Sequence, residues 1–540
     1  PDLDVKAMCR VCMVEVKGAR NLQSACSQPV SDGMVITTNS PLVRQARKMN
    51  VELILSNHPQ DCLNCIRNQK CELQALTEKL GIRNQRFETK KRTEAGIDNS
   101  TPSLVRDPEK CILCRRCVAV CQKIQGVSAL APMNRGFDTV IAPVGGKELN
   151  DAACALCGQC IHVCPVGAIY ENDQTAKVWA ALADPQKHVI VQTAPAIRVA
   201  IGEEMGMEPG SLVTGRLVSA LRRLGFDRVF DTDFSADVTI MEEGTELLNR
   251  LHNGGTLPMI TSCSPGWIKF VEHFYPELLD HLSTCKSPQQ MFGALAKTYY
   301  AQKSGIDPKD IFMVSIMPCT AKKYECQRDE MNDSGYQDVD VALTTRELGR
   351  MLREAGINFD NLEDEKFDDP LGISTGAAVI FGATGGVMEA ALRTVYEIET
   401  KSELPSIDLT EVRGLEGIKE ATVNMNGTDI NVAVAHGLGN ARKLLELIKE
   451  GKAKYHFIEV MGCPGGCIGG GGQPIPTNTE IRQKRMAAIY KEDVGMPIRK
   501  SHENPAVKAL YAEFLGEPLG EKSHHLLHTH YIQRGKYPKH

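Results

Sequence analysis

From residue 187 onward, two hydrophobic patterns alternate along the chain. "KHVIVQTAP" (187–195) is a β-branched apolar run that stops at proline and predicts a buried strand. "LVTGRLVSALRRLGFDRVFDTDF" (212–234) spaces its apolar residues for one helix face and then becomes a short strand. "MEEGTELLNR" (241–250) predicts a helix with Glu243, Glu246 and Arg250 at i, i+3 and i+7, on one face. "TLPMITSCSPGW" (256–267), "DIFMVSIMPCT" (310–320) and "KYHFIEVMGCPGGC" (454–467) share one design, a short apolar strand that ends in a cysteine-bearing loop. Strands alternating with helices predict an α/β domain with largely parallel sheets, whose ligands sit beyond the carboxyl ends of the strands. Three such loops, far apart in sequence, are placed to converge. Residues 481–540 are polar and end in "HHLLHTH", which predicts a surface extension, with a histidine metal site as the lesser alternative.

Composition narrows the class. A chain of 540 residues has room for three or four domains, and its net charge of −5 argues against nucleic acid as the main partner. There is no apolar run of membrane-spanning length and no secretory h-region. Twenty cysteines, many in Cys-x-x-Cys spacing, point to metal binding in a reducing compartment, with cytoplasmic localisation expected. Fourteen of them lie between residues 9 and 164, so the first third is a cofactor-dense module.

"CILCRRCVAVC" (Cys111, Cys114, Cys117, Cys121) and "CALCGQCIHVCP" (Cys154, Cys157, Cys160, Cys164, then Pro165) form the doubled run of bacterial ferredoxins. The fourth cysteine of each such run ligates the other cluster. One [4Fe–4S] is therefore assigned to Cys111, Cys114, Cys117 and Cys164, and a second to Cys154, Cys157, Cys160 and Cys121. Zinc in paired knuckles is the alternative that this repeat disfavours. "HPQDCLNCIRNQKC" supplies His58, Cys62, Cys65 and Cys71. It resembles the His-Cys₃ [4Fe–4S] site of large iron-only hydrogenases and of one subunit of respiratory complex I. "CRVCMVEVKGARNLQSAC" supplies Cys9, Cys12 and Cys26 and resembles the later part of a plant-type [2Fe–2S] domain. Residues 1–8 hold no cysteine, so the fourth ligand is expected upstream of Pro1.

The later half resembles the catalytic domain of [FeFe]-hydrogenases, on "TSCSPGW" (261–267), "MPCTAKK" (317–323) and "EVMGCPGGCIGGGGQP" (459–474). The resemblance implies an H-cluster, a [4Fe–4S] cubane joined through one cysteine to a two-iron unit with CO, cyanide and a dithiolate. It implies Cys319 and Cys463 as cubane ligands and Cys467 as the bridging ligand. Lys322 would donate to a cyanide, and Met317 and Met461 would pack on the two-iron unit. Gln289, Pro195, Ala196, Pro318 and Gly466 fall at pocket positions, and Ala196 stands where some members have serine. The family commonly has two adjacent cysteines where this chain has Cys263–Ser264. Either Ser264 ligates the cubane through oxygen and Cys263 is the proton donor, or the loop shifts and Cys263 ligates. The implied proton relay is Cys263, Glu243, Ser283, Glu246 and Arg250. Cys285 and Cys326 match no ligand position.

The expected cofactors are the H-cluster, three [4Fe–4S] and one [2Fe–2S]. The expected function is reversible H₂ oxidation and proton reduction, with electrons carried along the clusters. No dinucleotide fingerprint is evident. NAD(P) would thus be met by flavin- and [2Fe–2S]-bearing partner subunits in a hetero-oligomer, with ferredoxin as a further carrier. A stand-alone ferredoxin hydrogenase, an H₂ sensor and a cluster-assembly factor are the alternatives. The expected domains are 1–57 ([2Fe–2S]), 58–100 (His-Cys₃), 101–181 (two [4Fe–4S], small α+β ferredoxin-like), 182–480 (H-cluster) and 481–540 (C-terminal extension).

Overall fold

The computed structural model describes residues 3, 7–89 and 96–535. The chain divides into two compact units. One comprises residues 1–124, 128–152 and 159–172, and the other residues 125–127, 153–158 and 173–540.

The first unit is built from short elements threaded around cysteines. Strand Met13–Val16 pairs antiparallel with Gln23–Ser24 and with Ile36–Thr37. Helix Pro41–Leu55 starts with Pro at its first turn and with Ser40 accepting from the Val43 amide, which satisfies an otherwise orphaned N–H. Strands Leu104–Arg106 and Ile169–Glu171 pair antiparallel. Such short strands supply few ladder bonds, and the unit also packs a small core of Val51, Leu73, Ile82, Cys164, Val166 and Ala168.

Among the described residues, the second unit contains eight strands: β1 (His188–Thr193), β2 (Arg228–Asp231), β3 (Met259–Ile260), β4 (Ile311–Met317), β5 (Val341–Thr344), β6 (Ile418–Met425), β7 (Thr428–His436) and β8 (Phe457–Met461). One sheet has the order β5-β4-β1-β2 and is parallel throughout. The other has the order β3-β8-β7-β6, parallel except for the β6–β7 hairpin. β8 is buried along its whole length and β1 at every residue after His188, as continuous apolar runs predict for strands covered on both faces. Helix α1 (Thr232–Asn253) follows β2 directly, with the Asp231 carboxylate accepting from the Asp233 amide at its start.

The C-terminal segment corrects one sequence expectation. Residues 481–535 are not a surface extension; residues 536–540 lie outside the described residues. Helix α2 (Thr479–Gly495) buries Ile481, Arg485, Met486, Ala488, Ile489 and Asp493. Leu510, Leu515 and Leu527 belong to the same core as Phe230 and Phe292. The apolar face of α2 is masked in sequence by charged residues that are themselves buried and paired: Arg485 lies on Glu203 and Asp493 on Arg393. Among the described residues, no helix is long and apolar enough to cross a membrane.

Candidate active site and electron-transfer loops

β3, β4 and β8 all end in the cysteine loops, each at the carboxyl end of its own sheet, where β3 and β8 run parallel. The β4 loop brings Pro318 and Cys319, and the β8 loop brings Cys463 and Cys467. Cys319 lies close enough for its charge to act on Cys467. Burial first, and then Cys319, pushes the Cys467 thiol up to about 12. Met317 and Met461 are buried at the last positions of their strands.

The glycines of the β8 loop are there for space. Gly466 has φ 85°, and a Cβ on it would lie 2.7 Å from the Thr384 amide nitrogen. A Cβ on Gly470 would lie 2.1 Å from the Pro318 carbonyl oxygen, one residue before Cys319. Gly470→Ala is therefore expected to push the Cys319 loop away from the Cys463–Cys467 loop. It should cost about 1–3 kcal/mol as overpacking. The checks are a lower thermal midpoint and less iron bound per chain. An unchanged iron content would show that the loop tolerates the displacement.

Several supports were absent from the sequence expectations. The Gln473 amide donates to the Ala196 carbonyl and to the Cys467 carbonyl, both at 3.2 Å, tying the β1 loop to the β8 loop. The buried Glu459 carboxylate accepts from the Gly385 and Met388 amides at 2.7 and 2.8 Å. Arg485 donates to the Ile468 carbonyl at 2.7 Å, so α2 braces the same loop from outside. Gln473 and Glu459 lie inside a quoted motif, but their partners are remote in sequence, and only the fold reveals them.

Lys322 is buried. Its ammonium donates to the Cys263 carbonyl at 3.1 Å and to Glu325 at 2.9 Å. Gln289 donates to the same Glu325 at 3.0 Å and accepts from Ser315 at 2.8 Å, which fixes its amide orientation. Pro195 and Ala196 follow β1 in a short buried turn. The Ser264 hydroxyl accepts from the Gly462 amide at 3.2 Å.

Beside Cys263 stands Glu243, on α1. Both of its carboxyl oxygens are buried and neither makes a hydrogen bond of ordinary length and angle. Burial, and then the Glu246 charge, raises its pKa to about 8, against a smaller pull downward from the Ser283 hydroxyl and the Ser262 backbone nearby. Burial and the Glu243 charge in turn hold the Cys263 thiol well above its usual value. Glu246 accepts from the Ser283 hydroxyl at 2.9 Å and from Arg250 at 2.7 Å. The five positions of the expected relay thus occupy one side of α1 and the loops beside it.

The cysteine loop of the second unit continues to this site. The Thr320 hydroxyl donates to the Leu156 carbonyl at 2.7 Å, and Lys269 donates to the Cys154 carbonyl at 2.8 Å. A Cβ on Gly471 would lie 2.3 Å from the Cys157 carbonyl. The Cys154–Cys157 loop is therefore packed against the Cys319 and Cys463 loops. Leu113 and Leu156, the matching residues of the two ferredoxin runs, both have φ 54°. Each amide donates to the sulfur two residues back, Cys111 and Cys154, at 3.4 Å. Such N–H···S bonds tune iron–sulfur potentials.

In the first unit, one cavity is lined by Cys111, Cys114, Cys117 and Cys164 together, so the last cysteine of the second run meets the first three of the first run. The turn after it holds the His-Cys₃ stretch: the Cys71 thiol donates to the Pro165 carbonyl at 3.6 Å, and Arg67 donates to the Cys164 carbonyl at 3.2 Å. The Cys62 thiol is raised by burial and then by Cys71 and Cys65. The Nδ1 of His58 is buried without a partner. Cys26 is raised by burial and then by its hydrogen bond with Cys12, with Cys9 alongside. Cys121 and Cys160 belong to this unit. Clustered thiols, an orphaned imidazole nitrogen and a glycine cradle are the donor set that iron–sulfur groups require, and these residues fit them.

Comparison with known proteins agrees in kind. The model described as "Iron only hydrogenase large subunit, C-terminal domain" matches residues 187–471, and "Iron hydrogenase small subunit" matches 479–534. Three iron–sulfur models cover the earlier region. They are a 2Fe-2S iron-sulfur cluster binding domain (2–41), the NADH-ubiquinone oxidoreductase-G iron-sulfur binding region (47–86) and the NADH-quinone oxidoreductase subunit 3 ferredoxin-like domain (101–170). The chain is similar to the NADP-reducing hydrogenase subunit HndD of Solidesulfovibrio fructosivorans, at 54% identity over 98% of this chain and 91% of that one. It is also similar to iron hydrogenase 1 of Clostridium pasteurianum, at 45% identity over 97% and 92%. Among solved structures, a variant of apo [FeFe]-hydrogenase HydA1 from Chlamydomonas reinhardtii superposes with a TM-score of 0.61, at 48% identity over 67% of this chain and 100% of that one. With its cysteine loops, its buried acid beside Cys263 and these relatives taken together, the chain belongs to the iron-only hydrogenases, oxidoreductases acting on H₂.

Proposed function

We propose that this chain is the H₂-converting subunit of an NADP-linked hydrogenase assembly. In it, Cys319, Cys463 and Cys467 hold an H-cluster, and three [4Fe–4S] and one [2Fe–2S] carry electrons away. The observation that carries the site assignment is Glu243, a fully buried carboxyl with no hydrogen bond of ordinary length and angle, set beside Cys263 and the Ser283–Glu246–Arg250 network. A protein interior tolerates such a group only where something else is gained, and proton relay is that gain. The H-cluster, when bound, supplies the iron at which H₂ is split or formed. The chain supplies the rest. Lys322 and Gln289, both fixed on Glu325, present donors at the pocket wall. The Cys263 thiol takes or gives the proton, and Glu243 receives it. With a pKa near 8, Glu243 exchanges that proton with solvent at near-neutral pH at little cost. Ser283 and Glu246 lie on the outward side.

The surroundings of Cys263 favour the unshifted register. After burial, Glu243 is the first charge acting on its thiol, ahead of Lys322 and Cys467, while the Ser264 hydroxyl accepts from the Gly462 amide, beside Cys463. Ser264 is then the fourth cubane ligand. Support for NADP as the eventual acceptor is the 54% identity to a subunit named NADP-reducing. No dinucleotide fingerprint is evident in this chain, so partner subunits bearing flavin and [2Fe–2S], or ferredoxin, complete the path in the cytoplasm.

The test is to mature the chain anaerobically, alone and with the proteins that co-purify with it. H₂-dependent reduction of methyl viologen is expected from the chain alone, and NADP⁺ reduction only from the assembly. Metal analysis should find iron in large excess over zinc. Viologen reduction absent from iron-replete protein would overturn the enzyme; NADP⁺ inert to the whole assembly would overturn the acceptor.

A further inference from the structure

β7 and β8 run parallel and stop together, one at a histidine and the other at the Cys463–Cys467 loop. His436, the last residue of β7, pairs in register with Met461 and is 8% exposed. Both of its ring nitrogens are occupied. Nδ1 stands 3.1 Å from the Gly465 amide nitrogen, and Nε2 stands 3.2 Å from the Leu415 carbonyl oxygen. An amide N–H only donates and a carbonyl only accepts. The two contacts therefore fix one neutral tautomer, with the lone pair on Nδ1 and the proton on Nε2. Burial first lowers the pKa of the ring to about 4, and Lys419 and Arg482 add to this against the opposing pull of the Leu415 carbonyl.

Gly465 is the middle residue of the Cys463–Cys467 turn. It and Gly466 have φ 84° and 85°, and two successive glycines leave the backbone between the cysteines free to pivot. Bonds from remote segments remove that freedom. The Gly465 amide is held by His436, and the Gly465 carbonyl accepts from the Thr384 amide at 3.1 Å. The Thr384 carbonyl accepts in turn from the buried Lys419 ammonium at 3.3 Å. Within the turn, the Gly466 amide donates to the Cys463 carbonyl at 3.0 Å. The peptide groups on both sides of Gly465 are thus anchored outside the loop, and one of the two anchors is a side chain.

We propose that His436 is a positioning residue for the iron site: by accepting from the Gly465 amide, its ring sets the spacing and direction of Cys463 and Cys467. The proposal rests on the reading that these two cysteines hold the cubane, and the experiment separates the two. A ring that merely fills space needs only its volume. A ring that positions the turn needs an acceptor where Nδ1 stands. Asparagine and glutamine tell these roles apart. Counted in bonds from Cβ, the asparagine oxygen falls at the place of Nδ1 and keeps the acceptor for Gly465. The glutamine amide nitrogen falls at the place of Nε2 and keeps only the donor to Leu415.

His436→Gln, His436→Asn and Cys463→Ala are compared with the parent in the cluster-loaded chain. The readouts are iron bound per chain, the reduction potential of the cubane, hydrogen exchange of the 462–472 peptide and turnover with viologen as acceptor. His436→Gln leaves the Gly465 amide without its acceptor. Its loop amides are expected to exchange faster, the cubane potential to shift and turnover to fall about tenfold or more. His436→Asn keeps the acceptor and should restore most of each property. Both variants matching the parent would overturn the positioning role, because no bond from residue 436 would then be needed. Both failing alike would overturn it too, because only the volume of the ring would then matter. A defect in His436→Asn alone would assign the role to the Leu415 contact and overturn the proposal. Cys463→Ala with full iron and turnover would sink the ligand reading and His436 with it. Cys463→Ala without a cubane, beside two histidine variants that match the parent, would sink His436 alone.

Discussion

Cys263→Ala is expected to lower H₂ turnover by at least about a hundredfold while the cubane still assembles. Burial and the Glu243 charge hold the thiol well above its usual value, and it lies beside the carboxyl that would pass its proton on. On the proposed assignment, removing it breaks the relay at its inner end and leaves Ser264, Cys319, Cys463 and Cys467 as the ligands, so iron content and the cubane's spectra should match the parent. Ser264→Cys in the same background restores a thiol at the second position of the common pattern and should leave activity lost. A cubane missing from purified Cys263→Ala protein would show that Cys263 is itself a ligand and that the loop is shifted.

Glu243→Gln should have an effect of similar size on turnover and the opposite effect on stability. The amide keeps the shape but carries no transferable proton, so a loss of about a hundredfold or more is expected. The stability change follows from proton linkage. In the folded chain, Glu243 keeps its proton up to about pH 8, because burial and Glu246 disfavour its charge; an exposed glutamate releases it near 4.5. Between those values the folded state binds the extra proton. The stability it contributes is therefore complete below about pH 4.5 and is lost as pH rises toward 8. Glutamine does not titrate. Relative to the parent, Glu243→Gln should gain in thermal midpoint between about pH 5 and about pH 8.5, measured on cluster-free protein. A parent–variant difference that does not change with pH would mean that Glu243 is charged in the fold, and the relay assignment would lose its support.

The family, the cysteine-loop design and the parallel α/β plan were legible before any coordinates. That is because each rests on spacing within a few residues. A strand ending in Cys319 or Cys463 is local, and so are the doubled ferredoxin runs and the i, i+3, i+7 face of Glu243, Glu246 and Arg250. The C-terminal segment was misread for the same reason. Arg485 and Asp493 look solvated by type, and their partners Glu203 and Arg393 lie 282 and 100 residues away.

Chemistry was thus written in the order of residues, down to which side chains could bind iron or move a proton. Their environments were not. That Glu243 is buried without an ordinary hydrogen bond, that Cys263 lies beside it while Ser264 accepts from Gly462, that Cys164 joins the cavity of Cys111, and that His528 comes close to Glu246 all depend on segments far apart along the chain. Burial and proximity set pKa values and ligand sets, and both are properties of the packed chain. A periodic pattern can say which face a residue occupies, but only packing decides what meets that face.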